Sequence, residues 1–122
     1  MKRVLDVGQC RPDHGTICQL IEGHFDARVT QAHDASDALA QLRADRFDLV
    51  LINRKLDADY TDGLDIVRQM KADPELATIP VMLVSNSPEY QQAAVAAGAE
   101  LGFGKAETNE PETHKRLEKF LG

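Results

Sequence analysis

The sequence predicts a doubly wound α/β fold: a five-stranded parallel sheet in the order 2-1-3-4-5, with helices on both faces. Three observations point there. Leu49-Val50-Leu51-Ile52 and Val81-Met82-Leu83-Val84 are apolar at every position, as parallel strands buried on both faces are. Strand-like and helix-periodic segments alternate along the whole chain. The connections have the length that joins parallel strands through right-handed helical crossovers. At 122 residues the chain suits one unit spanning 1–122, roughly 14 Å in radius of gyration.

The elements follow in order. Arg3 to Val7 reads as a first strand. Pro12 and Asp13 open a helix in which Ile17, Leu20 and Ile21 share a face, and Gly23 is expected to stop it. Ala27 to Ala32 forms the second strand, and Asp34 or Ser36 caps a helix with Ala38, Leu39 and Leu42 turned inward. The third strand is Asp48 to Ile52, followed by a polar loop from Asn53 to Asp62. The third helix packs Leu64, Ile66, Val67 and Met70 inward and ends near Pro74. After the fourth strand, Val81 to Val84, Pro88 starts an alanine-rich helix stopped at Gly98. A short fifth strand occupies Leu101 to Phe103, and Pro111 opens a last helix carrying Leu117, Phe120 and Leu121 on one face. This is the flavodoxin-like arrangement.

Composition excludes several classes. Hydrophobic residues at 43% and charged residues at 28% describe a globular chain, not a disordered acidic tail. The net charge of -6 and the lack of a basic run argue against direct nucleic-acid binding. No stretch is long enough for a secretory signal or a membrane span, and two cysteines, Cys10 and Cys18, make no disulfide framework. The expectation is a cytoplasmic protein with reduced thiols and no membrane contact.

In doubly wound sheets, sites form outside the carboxyl ends of the strands. The turns to search are Gly8 to Pro12, Asn53 to Gly63, Ser85 to Pro88 and Gly104 to Glu107. Four segments in those surroundings, Phe47 to Ile52, Asp62 to Arg68, Ile79 to Ser85 and Ala97 to Ala99, taken together and in this order, resemble the receiver domain of bacterial two-component response regulators. The resemblance covers essentially the whole chain. It implies a signalling role in which an acidic pair after the first strand and an aspartate after the third bind Mg²⁺, that aspartate accepts a phosphoryl group, and a Ser or Thr and a Lys contact its oxygens.

Residue by residue, two of these positions are kept: Ser85 matches the hydroxyl and Lys105 the lysine. The phosphoacceptor position is Asn53, whose carboxamide is no carboxylate nucleophile. The acidic pair falls on Gly8 and Gln9, and the family's switch aromatic on the fifth strand falls on Gly102. Asp6 replaces the acidic pair only if the first strand is cut short. The loop after the third strand is longer than the family pattern. Its Asp57, Asp59 and Asp62 form a candidate cation cluster, although acids in such loops are more often solvated.

These departures point to a degenerate receiver, a pseudo-receiver: no enzyme, no cofactor and no metal, but a phosphorylation-independent module for binding a signalling protein or output domain. The resemblance places partner contacts, and a possible homodimer, on the fourth helix, fifth strand and fifth helix, with Gln91, Gln92, Val95, Phe103, His114 and Arg116. A different class of reading is a switch that binds a small molecule or anion in the vacated pocket near Ser85 and Lys105. His14, His24, His33 and His114 show no metal spacing and are read as surface residues out of reach of either cysteine. Cys10, beside a helix N-terminus, is a candidate redox thiol set against the commoner inert one.

Overall fold

The computed structural model describes residues 1–122. Five parallel strands, β1 (Lys2–Val7), β2 (Ala27–Ala32), β3 (Leu49–Asn53), β4 (Val81–Val84) and β5 (Glu100–Phe103), lie in the order β2-β1-β3-β4-β5. Five helices connect or follow them: α1 (Arg11–His24), α2 (Ala35–Ala44), α3 (Gly63–Ala72), α4 (Pro88–Ala96) and α5 (Pro111–Leu121). The expected topology is the observed one.

Strand alternation splits the core in two. Leu5, Val7, Val50, Ile52 and Leu83 point to the face covered by α2, α3 and α4. Val4, Leu49, Leu51, Met82 and Phe103 point to the face covered by α1 and α5. On β1 this alternation sends Asp6, which is fully buried, toward α1 beside Val4.

Local chemistry explains the boundaries. Asp34, not Ser36, caps α2 by accepting from the Asp37 N–H; Asp62 caps α3 through Leu64 N–H, and Ser87 caps α4 through Tyr90 N–H. Gly23 does not end α1. The helix runs through it to His24 and closes with Phe25 N–H on Ile21 O, since Gly23 does not take the left-handed conformation that would break the helix. α3 stops at Ala72, and β3 extends one residue further than expected, so that Asn53 is strand and not loop. A 3₁₀ turn, Lys105–Glu107, follows β5 and was not legible in the sequence pattern. The β4–β5 register shifts between Met82 and Val84, which brings the two strands close at Gly102. No helix is long and apolar enough to cross a membrane.

Candidate functional site at the carboxyl end of the sheet

β1 and β3 end side by side, with Val7 paired to Ile52, so the turn at Gly8 meets Asn53 directly. The Asn53 Nδ2 donates to Gly8 O at 3.1 Å and to Lys55 O at 2.7 Å. The same Gly8 carbonyl accepts Asp57 N–H at 2.9 Å, and Gly8 N–H reaches Ala32 O. Gly8 has φ +76°, and a Cβ there would lie 2.3 Å from Leu56 Cδ2. A side chain at Gly8 would be strained by the left-handed conformation and crowded against Leu56.

The long β3–α3 loop is an ordered structure. Leu56 is fully buried, Leu56 N–H donates to Thr61 O, and Tyr60 N–H donates to Leu56 O. Asp59 accepts Thr61 N–H and Asp62 caps α3, so two of the three loop acids serve a turn and a cap. They do not converge: no group of three His, Cys, Asp or Glu side chains is placed to enclose a metal ion.

A cleft of about 310 Å³ opens beside Asn53, Ser85 and Lys105, and its other polar walls are Arg54, Lys55 and Asn86. Three cations and no carboxylate line it. Arg54 is held over the Tyr90 ring, 4.0 Å from its centroid, and donates to the Tyr90 hydroxyl. Ser85 Oγ accepts Ser87 N–H at 3.1 Å, just ahead of the α4 cap. Lys105 pairs with Asp13 on α1 at 2.7 Å, and that ammonium, with Cys10 Sγ donating at 3.2 Å, holds the Asp13 carboxyl below the usual range. The hard divalent cation that the sequence resemblance implies does not fit these residues. Gly8 carries no side-chain ligand, Gln9 is buried and neutral, and Asn53 offers a neutral carboxamide oxygen in place of a carboxylate.

Asp6 does not turn into this cleft. Its Oδ2 accepts from His14 Nδ1 at 2.7 Å beneath α1, and the buried Gln9 carboxamide lies beside it. Burial pushes the Asp6 carboxyl up to about 6 against the opposing pull of His14. His14 Nε2 in turn lies 3.4 Å from Cys18 Sγ. The expectation that no histidine reaches a cysteine is thus corrected, and the signal was present: His14 and Cys18 are four apart and share one face of α1.

The expected α4–β5–α5 contact face is corrected at two positions, Phe103 and Gln91. Phe103 is 1% exposed and packs into the α1–α5 core, because the register shift turns it inward. Gln91 is buried and staples α4 to the sheet: its Nε2 donates to Leu83 O at 2.9 Å and Ser85 O at 3.1 Å, and its Oε1 accepts Gly102 N–H at 3.0 Å. His114 turns to α1, its ring 4.6 Å from that of His24. Gln92, Val95 and Leu101 remain exposed, and Arg116 closes the edge of β5 by donating to Gly102 O at 2.8 Å. Gln91→Ala is expected to cost about 2 kcal/mol, since Gly102 N–H and two carbonyls lose partners in a largely dry setting. A urea midpoint unchanged from the parent would show that water replaces the amide.

Comparison with known proteins places this geometry. Residues 13–117 match the model of the response regulator receiver domain. A gliding motility regulatory protein of Myxococcus xanthus is 31% identical over 81 residues, 65% of this chain, and the chain spans only 10% of that protein's length. The receiver domain of a DNA-binding response regulator from Colwellia psychrerythraea superposes with a TM-score of 0.81 at 24% identity, covering 98% of this chain and 97% of that one. The Vibrio cholerae chemotaxis protein CheY4 superposes at 0.78 with 23% identity, covering 99% of both chains. Sequence match, strand order and the placement of the strand-end turns agree, and the chain belongs to the response regulator receiver domain family.

Proposed function

We propose that this chain, as one receiver-like unit over residues 1–122, is a pseudo-receiver: a cytoplasmic, non-enzymatic module that binds a signalling protein or output domain without being phosphorylated. The observation that carries the reading is the Asn53 carboxamide donating to Gly8 O and Lys55 O. It has no nucleophilic oxygen to offer, and its place suits a donor, not an anion. Gly8 supports this, since an acid there would be strained in conformation and crowded against Leu56. With Lys105 held by Asp13, the lysine needs no phosphoryl partner.

The partner surface in this reading is what stays exposed around α4 and β5. Val95 and Leu101, 44% and 47% exposed, give it apolar area, and Gln92 and Arg116 line an adjoining cleft. Direct contact with nucleic acid or membrane is not part of it. Incubation with acetyl phosphate and Mg²⁺ is expected to give no acid-stable, hydroxylamine-labile mass gain on the intact protein; such a gain would overturn the reading. Asn53→Asp is expected to destabilise the fold by about 2 kcal/mol, because a carboxylate would face two carbonyls that now receive donors. A urea midpoint equal to that of the parent would contradict it.

A second reading, a switch that binds a small anion without covalent transfer, is favoured by one observation: the cleft beside Ser85 is lined by Arg54, Lys55 and Lys105 with no carboxylate. Thermal stability that rises with added inorganic phosphate, and does so less in Arg54→Ala, would support it.

A further inference from the structure

Residues four apart on a helix stand one above the other, and on α1 that spacing joins His14, Cys18 and Glu22. His14 Nε2 and Cys18 Sγ are 3.4 Å apart. Zinc-type bonds of about 2.0–2.1 Å to nitrogen and 2.3 Å to sulfur, at a tetrahedral angle, give a ligand–ligand edge of about 3.5 Å. The two donors are thus already spaced as neighbours in a tetrahedral shell. Both residues are partly exposed, so an ion has access from solvent.

The other ring nitrogen is committed. His14 Nδ1–H donates at 2.7 Å to the fully buried carboxylate of Asp6, which leaves the Nε2 lone pair facing Cys18. A buried carboxylate on the far nitrogen of a ligating histidine is the usual support of such a ligand, fixing both tautomer and ring orientation. Asp6 comes from β1 and His14 from α1, so the support is held by the rigid packing of helix on sheet.

We propose that His14 Nε2 and Cys18 Sγ form a two-point binding site for a borderline-soft divalent cation of the zinc type, with Asp6 as the residue that positions His14 and water in the remaining coordination places. It is separate from the cleft beside Asn53 and does not rest on the pseudo-receiver reading. The surroundings favour a cation: Glu22 stands one turn beyond Cys18 on α1 and the Asp6 carboxylate lies behind His14, and both carry negative charge that attracts a divalent ion. Binding releases the thiol proton to solvent as the metal–sulfur bond forms. Only two protein ligands are assembled, so the site is open and the ion exchangeable.

The test is Co²⁺ titration of the reduced, metal-stripped protein. The expected result is a saturable thiolate-to-cobalt charge-transfer band at one ion per chain, displaced by Zn²⁺. Cys18→Ser should abolish the band and Cys10→Ser should leave it. His14→Ala, and separately Asp6→Asn, should weaken binding roughly tenfold or more. Circular dichroism of each variant separates lost binding from lost fold. If a variant unfolds, protection of Cys18 from alkylation by Zn²⁺ in the parent protein, with Cys10 as the unprotected internal control, gives the same answer. No band, a band lost with Cys10→Ser, or alkylation of Cys18 unchanged by Zn²⁺ overturns the proposal.

Discussion

Gly102→Ala is expected to lower stability by about 3 kcal/mol, a large fraction of the total for a fold of this size. An added Cβ would lie 2.1 Å from Leu83 O and 3.1 Å from its carbonyl carbon, and both belong to the backbone of β4. Backbone gives way only if the strands separate, which would break Ser85 N–H to Phe103 O and loosen the register that buries Phe103. Gly102 is also the point where two helices grip the sheet edge. Gln91 of α4 accepts its N–H, and Arg116 of α5 donates to its carbonyl. Any outward shift of β5 therefore strains three elements. Urea denaturation followed by circular dichroism is the measurement, and a loss under about 1 kcal/mol would mean that β5 moves freely. The functional corollary concerns the fifth strand, where the family resemblance expects an aromatic switch. Here a side chain does not fit, so Gly102→Tyr should behave at least as badly as Gly102→Ala instead of restoring a rotor.

Asp6→Asn is expected to have the opposite sign, with a pH signature. The Asp6 carboxyl is raised from 3.8 to about 6, mainly by burial, so ionising it costs more in the folded protein than in the unfolded chain. Its contribution to stability is fully present below pH 3.8 and is lost as pH rises through about 6. The shift corresponds to about 3 kcal/mol between those limits. The amide keeps an oxygen for the His14 N–H and carries no charge, so the variant should gain roughly 2 kcal/mol over the parent at pH 8. Near pH 4, where the folded parent is already neutral, the two should match. Denaturation in EDTA at both pH values reads the difference free of any bound ion. Equal stability at pH 8, or a gain of the same size at pH 4, would remove burial of charge as the explanation.

What was legible in the sequence followed from repeating patterns. Val50-Leu51-Ile52 and Val81 to Val84 announced central strands because a parallel strand packs helices on both sides, and every side chain must then be apolar. Asp34 and Pro88 marked helix starts because caps act over three residues of backbone. Gly23 misled because a glycine signals a helix end only where the chain turns left-handed, and here the helix closes one residue later, with Phe25 N–H on Ile21 O. The resemblance placed Phe103 on a surface, and a short edge strand offers too few residues to fix its own facing. One shifted pair between Met82 and Val84 decided which side chains are buried.

The sequence by itself determined which segments form the central strands and which residue types stand at Gly8, Gln9, Asn53, Ser85 and Lys105, because those depend on residue identity and on patterns within a few residues. Only the tertiary structure decided what those groups touch. Asp6 and His14, Lys105 and Asp13, Gln91 and Gly102 each meet between different elements that packing turns toward one another. A carboxylate's role is set by the partner and the dryness around it, and both exist only after helix and sheet have closed on each other.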